Sequence, residues 1–147
     1  MPDHREYDTR LAAYAVIARD GAVLLVRLNG TGATGHWTLP GGGVELHESP
    51  EDGAVREVLE ETGHTVELVR LLGVHSLVLE PSQARYSVLP RTLRSIRVVY
   101  EATVTGGELR HEADGTTDQA RWVPLADVPG LDRVSLVDVG LGYAGLR

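Results

Sequence analysis

Three glutamates carry the clearest chemistry in this chain. Glu57, Glu60 and Glu61 fall at i, i+3 and i+4, so a helix over this stretch would bring three carboxylates to one side. Like charges so placed repel, and a helix gains nothing from them by itself. Hard divalent cations want several oxygen ligands, which clustered carboxylates supply. An isolated E-x-x-E-E is also an ordinary solvated helix face, so its setting must decide. The chain has no cysteine and no lysine, all 14 basic residues being arginine. A thiolate metal site, a disulfide and a Schiff-base lysine are therefore excluded, and any metal must rest on carboxylates, histidines or backbone oxygens.

The element that must position these carboxylates is well marked. Ser49 reads as an N-cap, Pro50 takes the first helical position, and Glu51 and Asp52 fall in the first turn. Gly63 reads as a left-handed C-cap. Within the helix, Val55, Val58, Leu59 and Thr62 are expected to form the packing face, with the glutamates opposite. Upstream, Leu11 to Ala18 and Ala22 to Leu28 are apolar runs separated by Arg19-Asp20-Gly21, and together they read as a hairpin. Asn29 to Gly35 reads as a loop, and Trp37 to Leu39 as a short strand stopped by Pro40 before the Gly41-Gly42-Gly43 loop. Downstream, Val66 to Leu79 and Ile96 to Val104 read as strands, Trp122-Val123 as a short strand and Leu131 to Leu141 as a short helix, despite its glycines. This interleaving predicts a mixed sheet covered by helices on both faces, in one domain over residues 1–147.

Read outward from the glutamates, the segment is Gly42-x5-Glu48-x7-Arg56-Glu57-Val58-x-Glu60-Glu61-x-Gly63. Its seven fixed polar and glycine positions match the Nudix box, and a glycine loop running into a capped helix is the right context for it. The chain thus resembles the Nudix hydrolases, with the box running from Gly42 to His64. The likeness is tightest over Trp37 to Gly63 and extends to Arg121-Trp122-Val123-Pro124-Leu125. It implies an α/β (α+β) fold, the Nudix-type α/β/α sandwich with a mixed sheet. It also implies metal-dependent hydrolysis of a diphosphate linkage in a nucleoside diphosphate derivative, NDP-X, with Mg²⁺ as cofactor and Mn²⁺ as a substitute. Glu57, Glu60 and Glu61 would be metal ligands, joined by the carbonyl of Gly42. Arg56 and Glu48 would form an ion pair that positions loop and helix. Glu60 or Glu61 is the expected proton acceptor from the attacking water. Many relatives place a further acidic group in the loop before the late Trp. Here that loop carries Glu108, Glu112, Asp114 and Asp118, with Glu112 the first candidate for a further ligand and Asp118 the second, although loop polarity explains all four as well.

Two positions depart from the pattern. His64 stands where the box ends on an aliphatic residue, and it reads as a partly exposed histidine just past the helix. His47 stands before Glu48, where glycine is frequent. Neither touches the carboxylates.

Outside the box the sequence says less about substrate. Trp37 could stack on a base or pack in the core, and Arg85 and Arg91 could meet phosphate in a loop that also holds Pro81 and Arg94. An ADP-ribose-like compound or another NDP-sugar is the leading expectation. A housecleaning pyrophosphatase for oxidised or non-standard (d)NTPs is the alternative. A nucleotide sensor without activity would be marked by lost box carboxylates, and all three are present. The net charge of −7 argues against a nucleic acid polymer as partner, which needs a basic surface, while leaving a small-molecule nucleotide open because metal ions reverse the local field. The polar first residues and the lack of a long apolar run predict no membrane association and a cytoplasmic location. The resemblance adds a homodimer, which no heptad or apolar stripe supports independently.

Overall fold

The computed structural model describes residues 1–30, 34–83 and 89–147. Among these residues eight strands and two α-helices follow one another as β1 (Asp8–Val16), β2 (Ala18–Arg19), β3 (Ala22–Leu28), β4 (Trp37–Thr38), β5 (Gly41–Gly43), α1 (Pro50–Thr62), β6 (His64–Leu79), β7 (Leu93–Gly107), β8 (Thr117–Pro124) and α2 (Ser135–Tyr143). Short 3₁₀ turns occupy Pro81–Gln83 and Leu125–Gly130. The strands form two sheets. One has the order β5-β1-β7-β6 and is mixed, because β1 and β7 are parallel whereas β1–β5 and β6–β7 are antiparallel. In the other, β3 is flanked by β4 and β8 and also pairs with the short β2, all antiparallel.

Side-chain alternation along the central strands explains the layers. On β1, Ala13 and Ala15 face one way, and Tyr14 and Val16 the other. The first set packs with Ala54 and Val58 of α1; the second packs with the cluster holding Leu136, Val137 and Leu141 of α2. β3 repeats the pattern, with Leu24 in the cluster of Val58, and Val23 and Leu25 in the cluster of α2. Each sheet thus contributes to both cores, one under each helix, and the expected α/β/α arrangement stands.

The hairpin reading of the first two apolar runs is corrected. Pairing extends only from Arg19↔Ala22 and Ala18↔Val23 to one bond from the Leu24 N–H to the Ile17 carbonyl, around Asp20 and Gly21 at φ 53° and 75°. Positive φ at both central positions is the primed turn that suits a hairpin, so the turn signal was right locally. The strands then diverge, because β1 is buried on both faces and takes the centre of the other sheet beside β7. Gly41–Gly43, expected as loop, is an edge strand paired with β1 through Tyr14↔Gly41, Ala13↔Gly42 and Ala12↔Gly43. Gly41, at φ 145°, needs to be glycine, since a Cβ there would come within 2.2 Å of the Ala13 carbonyl oxygen. α2 begins at Ser135, later than the expected Leu131, because a 3₁₀ turn precedes it. Its Gly140 lies against Leu39, so close approach to the core explains a residue that weakens the helix.

Candidate active site

α1 is held at both ends as expected. The Ser49 hydroxyl accepts from the Asp52 N–H at 3.1 Å, and Gly63, at φ 79°, donates its N–H to the Leu59 carbonyl. Its packing face is rotated from the expected one. Ala54, Val58, Glu61 and Thr62 are buried, whereas Leu59 is 39% exposed. The buried arc runs i, i+4, i+7 and i+8, so one of the three glutamates belongs to it rather than to the opposite side.

That glutamate is Glu61, only 2% exposed, its carboxylate accepting the Gly41 N–H at 2.7 Å. Burial, with Glu57, Glu112 and Glu60 nearby, pushes its proton affinity well above that of an ordinary carboxylate, against the opposing pull of the Gly41 N–H. Glu57 lies directly against Gly42, where a Cβ would come within 2.9 Å of its Oε1. Burial also raises the Glu57 carboxyl, and Glu60 and Glu112 add to this while Arg56 opposes it. Glu60 is the more open of the three, its side chain 48% exposed.

Arg56 ties the glycine strand, the following loop and the helix together. Its guanidinium donates to Glu48 at 2.6 and 3.0 Å, to the Gly43 carbonyl at 3.2 Å, and to Glu57 and Glu60 at 3.2 and 3.3 Å. A planar guanidinium suits such multiple contacts better than an ammonium. Glu48 also accepts the Glu45 N–H at 2.9 Å, and the two partners, Arg56 first, hold its carboxyl down to about 2. Gly53 makes room for this pair, since a Cβ there would meet Glu48 Oε1 at 3.0 Å. Sequence reasoning passed over Gly53; the signal was a glycine inside a helix, where it costs about 1 kcal/mol relative to Ala.

Glu112 reaches the same neighbourhood, because it is a like-charge neighbour of both Glu57 and Glu61. Its carboxylate accepts the Thr117 hydroxyl at 2.9 Å and folds over Gly115. Asp118 is engaged elsewhere, in a two-bond pair with Arg27 at 2.9 Å across β3 and β8. Trp37 is 7% exposed and packs inside the α2-side core, with the Arg121 guanidinium 4.9 Å from its ring centre. Arg91 pairs with Asp8 and donates to the Arg5 carbonyl where β1 and β7 begin, about 20 Å along β1 from Tyr14, the residue paired to Gly41. A cavity of about 540 Å³ lies at that same end, lined by Tyr7, Val78, Thr92 and Arg94 among others. Arg85 lies outside the described residues. His64 is corrected from partly exposed to 5% exposed, its ring beside Trp122 and its Nδ1 3.3 Å from the Gly106 carbonyl. His47 is exposed.

The donor set fits a hard divalent cation chemically. Glu57, Glu60, Glu61 and Glu112 repel one another, two of them buried or nearly so, and the one arginine among them is largely committed to Glu48. Buried like charges of this kind call for a cation. Among the described residues no three acidic or imidazole groups are already drawn into a closed cage, so binding would gather them.

The NUDIX domain model matches residues 8–138, and the chain belongs to the Nudix family. It is 34% identical over 121 residues to an ADP-ribose pyrophosphatase of Methanocaldococcus jannaschii, covering 82% of this chain and 65% of that protein. It is 32% identical over 127 residues to an 8-oxo-dGDP phosphatase of Mus musculus, covering 82% of this chain and 35% of that one. Among solved structures, a MutT NUDIX hydrolase from Burkholderia pseudomallei superposes with a TM-score of 0.73 at 28% identity, over 92% of this chain and 98% of that one. The chain spans between 35% and 65% of the length of the curated relatives it matches first. Among the described residues no helix is long and apolar enough to cross a membrane.

Proposed function

We propose that this protein hydrolyses the diphosphate linkage of a nucleoside diphosphate derivative, NDP-X, with Mg²⁺ as cofactor and Mn²⁺ able to replace it. The observation that carries this reading is the buried Glu61 beside Glu57 and Gly42, under an Arg56–Glu48 clamp. Glu57, Glu60 and Glu61 would hold the cation, with Glu112 and the Gly42 carbonyl as further oxygen donors. When bound, the cation supplies charge neutralisation at the diphosphate and a more acidic water.

The chain's own residues do the rest. Arg56 fixes the glutamates relative to the glycine strand, so the carboxylates need not reorganise as charge develops. Gly42 lets the helix approach β5 closely, since a Cβ there would meet the Glu57 carboxylate. Glu60 or Glu61 takes the proton of the attacking water. The likeness to an ADP-ribose pyrophosphatase supports an NDP-sugar as substrate.

The test is a panel of ADP-ribose, other NDP-sugars, dinucleoside polyphosphates, and normal and oxidised dNTPs, each with and without Mg²⁺. Cleavage of an NDP-sugar that disappears without metal and in Glu61→Gln is the expected result. Equal inertness of wild type and variant toward every member, with one nucleotide still bound, would replace the enzyme with a sensor.

A further inference from the structure

Two arginines on the other side of the glycine strand have no acidic partner among the described residues. Arg97 on β7 aligns with Ala12 of β1 and with His75 of β6, which places Arg97 and His75 on the α2 side of the mixed sheet, as Val99 is. The Arg97 Nη2 lies 2.8 Å from His75 Nδ1, and its Nε is buried with no hydrogen-bond partner. Arg10, on the same face of β1, donates among the described residues only to the Tyr14 hydroxyl, at 3.5 Å. Tyr14, Tyr143 and Arg10 are the charged or titratable neighbours of the Arg97 guanidinium, and Tyr143 lies against Gly73. By contrast Arg27, Arg56, Arg70 and Arg133 each engage a carboxylate.

A half-buried guanidinium loses hydration that an anion or several acceptors must replace. Here the described neighbours are hydroxyls, an imidazole and a second guanidinium, so donors are left over. Burial accordingly pulls down the proton affinity of both Arg97 and His75. Position supplies the second argument. The missing Cβ of Gly42 would point at Glu57, whereas that of Gly43 would come within 3.6 Å of the Arg10 guanidinium. β5 is an edge strand, with the Glu57 carboxylate against one of its faces and the Arg10 guanidinium against the other. Arg97 sits two strands further in, about 10 Å from β5.

We propose that Arg10, Arg97 and His75 form an anion subsite that receives a phosphate or carboxylate of the substrate beyond the phosphorus attacked. The inference rests on the hydrolase reading and narrows it: the preferred NDP-X carries a further anionic group, and its two ends lie over opposite faces of β5. Arg97 turns to the anion the guanidinium N–H groups that His75 leaves unbonded, while His75 holds Nη2 and the exposed Arg10 adds charge from the open side.

The experiment separates this subsite from the carboxylates by removing metal. In EDTA, inorganic phosphate, ribose 5-phosphate and glucuronate are titrated into the full chain while the arginine Nε–H and histidine ring resonances are followed. The Arg97 Nε–H and His75 signals are expected to shift, and Arg97→Gln and the surface variant Arg10→Gln each to weaken the affinity by at least about tenfold. Ribose 5-phosphate and glucuronate then tell whether phosphate or carboxylate is preferred. Equal affinities in wild type and both variants, or no shift with any of the three anions, would overturn the subsite. With Mg²⁺, KM for a cleaved NDP-X should rise more in Arg10→Gln than kcat falls, as for lost ground-state binding. An unchanged KM in both variants sinks the subsite and leaves the hydrolase; phosphate binding that depends on Arg97 in a protein that cleaves nothing sinks the hydrolase and leaves the subsite.

Discussion

Replacing Glu61 by glutamine should make the metal-free protein more stable and the metal-loaded protein less so. Glu61 is 2% exposed, with one hydrogen bond among the described residues, from the Gly41 N–H, and three like charges around it. A glutamine oxygen can keep that bond while the net charge is removed. Burying an ion costs several kcal/mol even after relaxation, and burying an amide about 1–3, so the substitution should stabilise the metal-free fold by about 1–3 kcal/mol. For a chain of this size each kcal/mol moves Tm by about 2–4 °C, which predicts a rise of about 2–12 °C in EDTA. Metal reverses the order. At a free Mg²⁺ concentration about 100 times Kd the wild type gains about 2.7 kcal/mol, or about 5–11 °C, and the variant, short of one anionic ligand, gains far less. Thermal unfolding with EDTA and across a Mg²⁺ series reads both halves. A lower Tm for Glu61→Gln in EDTA would refute the claim that the carboxylate is strained by its surroundings. An identical Mg²⁺-dependent rise in both proteins would refute its role as a ligand.

Other perturbations reach different parts of the same arrangement. Arg56→Lys keeps the charge but loses the paired bonds to Glu48 and the reach to the Gly43 carbonyl; kcat should fall about 10–100-fold in a steady-state assay, the loss usual for groups that orient ligands. Glu112→Gln should reduce the affinity for Mg²⁺ in a calorimetric titration if this loop supplies an oxygen, whereas Asp118→Asn should leave it unchanged. Gly41→Ala forces a Cβ against the Ala13 carbonyl at a positive φ and should cost at least about 3 kcal/mol in chemical denaturation. The Asp118 carboxyl lies below its ordinary range because Arg27 donates to it. Its contribution to stability is therefore present above about pH 4, the ordinary aspartate range, and is lost as pH falls below it; acid titration of Asp118→Asn should lack that part of the wild-type decline.

What the sequence disclosed, and what it hid, follows from the range over which each feature is decided. The caps of α1 depend on residues within a few positions, and Ser49 and Gly63 were both legible. The Asp20-Gly21 turn was legible for the same reason. The partner of β1 was not, because the parallel ladder from Asp8↔Leu93 to Val16↔Glu101 joins segments 85 residues apart, and the apolar run of β1 fits a hairpin equally well until both its faces are known to be buried. The same limit applies inside the site. Spacing put the three glutamates on one side of a helix, but how far that side turns toward the sheet depends on what α1 packs against. Opposite it are alanines, Ala13 and Ala15 of β1 and Ala102 of β7, which let the helix sit low enough to bury Glu61.

That rotation gives the three glutamates different environments although the motif presents them alike. Glu61 is set into the core beneath the Gly41 N–H, Glu57 is pressed on Gly42, and Glu60 stays open and near Arg56. A buried carboxylate, a half-buried one and an exposed one differ in their access to water and to a ligand, so the three positions of the motif are not interchangeable. The arginines show the converse. In the sequence Arg10 and Arg97 are two of 14 and carry no motif, and only the strand register brings them to one face beside His75. Residues defined by local spacing can be read before the fold is known. Residues defined by register across β1, β7 and β6 become visible only afterwards, and in this protein the second group is where its choice of substrate is expected to reside.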